Sequence, residues 1–79
     1  MNLYLISQTE NRDWDTYDST VVAAPSEEAA KTMHPNGGFV SETNYSGWVK
    51  SPESVSCQLI GIASDGTPQK VICTSFNAG

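Results

Sequence analysis

Positive charge is scarce in this chain. Four Lys and Arg stand against nine Asp and Glu in 79 residues, a net charge of −5. A domain of that sign is repelled by phosphate, which argues against direct DNA or RNA binding through a basic patch. Its natural macromolecular partner is a positively charged protein surface. Long apolar runs are also missing. The longest, such as Val21-Val22-Ala23-Ala24, reach four residues, far short of the roughly 20 that span a bilayer. Hydrophobic residues make up only 38% and charged residues only 16%, both below the globular norm, so a coiled coil or a helical bundle is excluded. The length leaves room for one small domain over residues 1–79, burying roughly 60–65% of the surface its unfolded chain exposes.

Histidine occurs once and cysteine twice. The amino terminus carries no basic segment before its short apolar stretch Leu3–Ile6, so no export signal is read there. Cys57 and Cys73 are accordingly expected as reduced thiols in a cytoplasm, that of a bacterial host on the resemblance described below.

What the chain does contain is Ser, Thr, Asn, Gln and Gly, the material of strands and turns. Leu3–Ser7 is compact and β-prone and reads as a first strand in the middle of a sheet. Thr9–Asp18 is polar and rich in Asn and Asp, a long hairpin loop, and Ser19–Ala24 returns as the second strand. Pro25-Ser26-Glu27-Glu28 opens a helix. Ser26 caps its first turn, and the two glutamates complement the positive end of its dipole. Ala29, Ala30 and Met33 share one face of that helix, expected at about two and a half turns before His34-Pro35-Asn36-Gly37-Gly38 stops it. Phe39–Pro52 is irregular, with Trp48-Val49-Lys50 as a short third strand. Val55–Ala63 and Gln69–Phe76 flank Asp65-Gly66 and read as a closing hairpin. The order is ββαβββ, an α+β domain with one antiparallel sheet and a single short helix packed on it. In that hairpin Cys57 and Cys73 share a face only if the pairing sum is even, and both are expected as buried thiols that pack as small hydrophobes.

Catalytic and metal chemistry find little support. Counted from Asp13 as a calcium loop, position five is Tyr17, position six is Asp18 where glycine is needed, and position twelve is Ala24 where Glu is needed. His34 has no motif placing it beside a nucleophile, and at a helix end it is expected to favour the dipole or face water. Cys57, Cys73 and one distant His fall short of a zinc site. No glycine loop cradles a phosphate, since Gly37-Gly38 lacks a following Lys-Ser or Lys-Thr. The chain is therefore read as no enzyme, with neither cofactor nor metal.

The acidic loop is the informative feature. Glu10, Asp13, Asp15 and Asp18 are four of the nine acids within nine residues, and Trp14 and Tyr17 stand among them. Aromatics anchor interfaces, and carboxylates pair with the Lys and Arg of a nucleic-acid-binding partner. Glu10, Asp13, Trp14, Asp15, Tyr17 and Asp18 are the expected contact surface, with Glu27 and Glu28 as lesser candidates. Either ring can instead tuck onto the sheet. Trp48 is expected to fill the space beside the helix, or else to join Tyr45 and Glu42 in a second contact strip.

Met1-Asn2-Leu3-Tyr4-Leu5-Ile6-Ser7-Gln8, Asp15-Thr16-Tyr17-Asp18-Ser19, Val21-Val22-Ala23-Ala24-Pro25 and the ending Thr74-Ser75-Phe76-Asn77-Ala78-Gly79 carry a resemblance. They resemble small phage and prophage proteins, among them anti-CRISPR proteins that inhibit type I surveillance complexes, subtype I-C included. The resemblance covers both ends and least of all 39–52. Its motifs are strand and turn sequences, with no functional residues to carry over. It implies a non-catalytic inhibitor that occupies the basic groove of a type I effector complex (Cascade) and blocks recognition of target DNA. Two other readings compete with it. One is a phage accessory protein that binds another host protein, or a small ligand in a pocket of Trp48, Tyr45 and Cys57. The other is a homodimer joined through an open sheet edge, against the monomer.

Overall fold

The computed structural model describes residues 1–10, 15–41 and 47–77. Asn2–Ser7 forms β1 and Thr16–Ala24 forms β2, followed by α1 over Glu27–Lys31. A 3-10 turn at Pro52–Ser54 leads into β3, Ser56–Ile62, and β4 covers Lys70–Asn77. The four strands make one antiparallel sheet in the order β3-β1-β2-β4, with α1 laid across one face. This is the expected α+β class.

β1 and β2 take the centre. Leu3–Ile6 of β1 faces Thr20–Ala23 of β2, in a register that runs from Asn2 opposite Ala24 to Ser7 opposite Ser19. Tyr4, Ile6, Val22 and Ala24 point to the helix side, where Ala30, Met33, Trp48, Val49 and Val55 close over them as the core. Trp48 is 1% exposed and is among the largest side chains sealed inside, as expected for a ring filling the space beside the helix. A second contact strip built on Trp48 is thereby excluded. Tyr45 and Glu42 lie outside the described residues.

The closing hairpin does not form. β3 pairs with β1 and β4 with β2, so the two last strands sit at opposite edges of the sheet. The physical reason is burial. A separate hairpin would leave one side of the apolar β1–β2 pair open, whereas flanking strands satisfy both. Asp65-Gly66 still turns the chain, with Gly66 at φ 83° and the Thr67 N–H donating to the Ser64 carbonyl at 3.1 Å. The residues between β3 and β4 cross two strand ends, a span of about 14 Å that seven residues cover easily. Parity therefore has no bearing on the cysteines. Cys57 lies opposite Ile6 on the helix side of β3, and Cys73 lies opposite Val21 on the other face of β4. Cys57 is half-buried and Cys73 exposed, so they are not the two interior thiols expected.

Two further expectations are corrected. Trp48-Val49-Lys50 forms no strand. The helix is also shorter than two and a half turns. Ser26 caps it as anticipated, its hydroxyl accepting from the Ala29 N–H at 3.2 Å. Thr32 then ends it early, because its own hydroxyl donates to the Ala29 carbonyl at 2.7 Å and competes with another helical turn. Met33 bridges to Phe39 across a reversal at His34–Gly38, where Gly37 adopts φ 102°. Five residues of helix are stabilised by packing against three strands rather than by their own propensity.

Candidate protein-binding surface

The acidic residues divide between two places. Glu10, Asp15 and Asp18 are exposed at the end of the sheet where β1 passes to β2. Asp13 and Trp14 belong to the same connection and lie outside the described residues. Glu27 and Glu28 are exposed in the first turn of α1, which follows β2 at the opposite end of the β1–β2 ladder. The hairpin acids thus form one group and the helix acids another.

Side chains inside the fold hold the hairpin end in place. Gln8 is buried, and its side-chain amide donates to the Tyr17 carbonyl at 2.9 Å. Asp15 takes φ 61°, a left-handed conformation that aspartate tolerates better than most residues. Asp18 falls at a bulge between β2 and β4, and the Ser75 hydroxyl donates to its Oδ2 at 3.4 Å. A bulge re-aims the side chain at that point, which keeps the carboxylate on the surface.

Tyr17 behaves differently from its acidic neighbours. It is half-buried, and its ring lies 4.8 Å from that of Phe76 and meets His34 edge-on at 5.8 Å. Both separations fall within the range of attractive aromatic pairs. Its N–H donates to the Gly47 carbonyl at 2.7 Å. Tyr17 therefore ties the hairpin end to the core, and Phe76, 47% exposed beside it, is the aromatic surface that this end offers. Sequence reasoning missed Phe76, because only the pairing of β4 with β2 brings it opposite Tyr17.

His34 neither faces water nor stands by a thiol. It is 1% exposed, and its Nδ1 accepts from the Asn36 N–H at 3.1 Å. Its ring packs toward the β2–β4 side against Tyr17, while Cys57 is on β3 at the far edge. Burial pushes the Cys57 thiol up from its ordinary value of 9.0; Glu27 adds to the rise and Lys31 opposes it. A thiol held in its protonated form is a poor nucleophile.

Among the described residues no group of three or more His, Cys, Asp or Glu is placed to hold a metal ion. None of their helices is long and apolar enough to cross a membrane. A shallow groove of about 200 Å³ lies between α1 and the 3-10 turn, lined by Glu28, Lys31, Pro52 and Glu53. It does not include Trp48 or Cys57, and Tyr45, the third residue of the alternative ligand pocket, lies outside the described residues.

No family model matches the chain, and no curated protein or solved structure resembles it significantly.

Proposed function

We propose that this chain is an anti-CRISPR protein, a non-catalytic inhibitor that binds a basic surface of a type I CRISPR effector complex. The hairpin end, with Glu10, Asp13, Asp15 and Asp18, meets lysines and arginines that otherwise hold phosphates, and target DNA is denied its contacts. Trp14 and Phe76 supply the apolar part of the contact, with Tyr17 holding Phe76 in place from within, and Glu27 and Glu28 contribute attraction at longer range. The observation that carries the reading is the exposure of Glu10, Asp15 and Asp18 together at one end of a rigid sheet, on a chain of net charge −5. The resemblance of both chain ends to small phage proteins supplies the identity of the target. The site of action is the cytoplasm of the infected bacterium.

The test is plaquing by a targeted phage on bacteria with active type I-C, I-E or I-F immunity that express this chain. Plaquing is expected to return in one host. It is expected to be lost again when Asp13, Asp15 and Asp18 are all changed to Asn in a protein that remains folded. Absence of rescue in every host, with soluble protein confirmed, would remove the reading. Undiminished rescue by the triple variant would remove the assigned surface.

A further inference from the structure

The face of the sheet turned away from α1 is apolar at its centre. Leu3 and Leu5 of β1 and Val21 and Ala23 of β2 point that way, since their ladder neighbours Tyr4, Ile6, Val22 and Ala24 form the core on the other side. Around them the register places Ser7, Ser19, Gln58, Gly61, Cys73 and Ser75. Among the described residues no second helix covers this face, and the molecule is only 18 Å across its thinnest axis. An antiparallel sheet with one covered face ordinarily turns polar residues to water on the other, whereas β1 is apolar on both. Leu3, Leu5 and Val21 remain half-buried and Cys73 exposed, while Ala23 is fully buried beneath its neighbours.

The charges on this face are few and placed at opposite ends. Lys70 pairs with Ala23 at one end of β4 and so shares its face. Asp18 reaches the Ser75 hydroxyl at the other end, on the same side. Among the described strand residues these are the only two charged side chains on the face.

We propose that this face packs against the same face of a second copy, about a two-fold axis that lies between the sheets and perpendicular to the strands. That axis lays β4 antiparallel over the partner copy's β4, so Lys70 of each copy approaches Asp18 of the other in two equivalent pairs. Any partner must meet an apolar centre with one cation and one anion at the ends, and a reversed copy of the face supplies that complement. The chain's other carboxylates among the described residues (Glu10, Asp15, Glu27, Glu28, Glu53 and Asp65) lie outside the strands, so the dimer buries none of them at its centre. Four strands of about six residues give a flat footprint on the order of 400 Å² a side. Side-chain relief raises the accessible area toward the roughly 600 Å² a side at which specific interfaces begin. Association in the micromolar range follows. Cys73 sits level with Val21, close to midway between Lys70 and Asp18, and therefore near the axis.

Sedimentation equilibrium of the full chain from about 1 to 500 µM tests this. The expected mass rises from 8.5 kDa toward twice that value. Val21→Asp is expected to hold the protein monomeric, with an unchanged circular dichroism spectrum. Lys70→Glu and Asp18→Lys are each expected to weaken the dimer about tenfold, and the double variant to restore it. In a Cys57→Ser background a short bis-maleimide is expected to join Cys73 to Cys73. A monomer at every concentration overturns the proposal. A dimer indifferent to Val21→Asp overturns the face, and one indifferent to both charge reversals overturns the orientation. The readout is mass rather than inhibition, so its result stands apart from that of the plaque assay.

Discussion

Gly47 shows how a single residue fastens the hairpin to the core. A Cβ there would lie 2.9 Å from the Asp15 carbonyl oxygen and 3.3 Å from the Tyr17 ring, and the residue sits at φ 72°. Backbone cannot yield as a flexible side chain can, and the left-handed conformation disfavours any L side chain. Gly47→Ala is expected to cost about 1–3 kcal/mol in chemical denaturation, with the loss of the 2.7 Å contact from Tyr17 seen as faster amide exchange at that position. Cys57 gives a pH signature. Its folded value lies above 9.0, so the folded protein retains the proton more tightly than the unfolded chain. This group leaves stability flat below the ordinary thiol value. Stability then falls as pH rises from about 9 toward the raised folded value. Wild type is expected to lose more stability than Cys57→Ser over that alkaline interval, and alkylation of Cys57 near pH 8 to be slower than that of Cys73. Neither Gly47 nor the raised thiol could be read from the sequence, because both depend on residues distant in the chain.

At the scale of elements, local chemistry and global packing divide the work. The start of α1 was legible because capping acts over three residues, from the Ser26 hydroxyl to the Ala29 N–H. Ser26→Ala is expected to lower stability by about 1 kcal/mol, measured from the urea midpoint. The helix end was misread because Thr32 competes for the Ala29 carbonyl before Pro35 acts. The strands β1, β2, β3 and β4 were found within a few residues of their bounds from β-branched and apolar composition. Trp48-Val49-Lys50 has the same composition and yet makes no strand. Its Trp48 and Val49 are buried as core filler instead, each 1% exposed. β-propensity describes side chains that suit a half-buried surface, and a core offers such a surface without a ladder.

For the whole molecule, the proposed function makes charge the determinant of encounter with a partner. With a net charge of −5, association with a basic target is expected to slow several-fold as salt rises from about 50 to 300 mM. The variant with Asp13, Asp15 and Asp18 changed to Asn is expected to show a shallower dependence in stopped-flow mixing. The exposure of Glu10, Asp15 and Asp18 was legible because charge and loop position are local properties. Phe76 was not, and Tyr17 proved to be largely an internal tie, since both outcomes depend on β4 lying beside β2. The sequence by itself determined the kinds of element, their order apart from the third strand, the cap of the helix and the sign of the surface. These follow from periodicity, side-chain hydrogen bonding and charge over a few residues. The tertiary structure alone decided which strands pair. Asp65-Gly66 encodes a reversal but not its destination, and the choice went to β3 beside β1 and β4 beside β2. That arrangement gives both β1 and β2 a hydrogen-bonded neighbour on each side. The gain is summed over the whole sheet, so no local segment could reveal it.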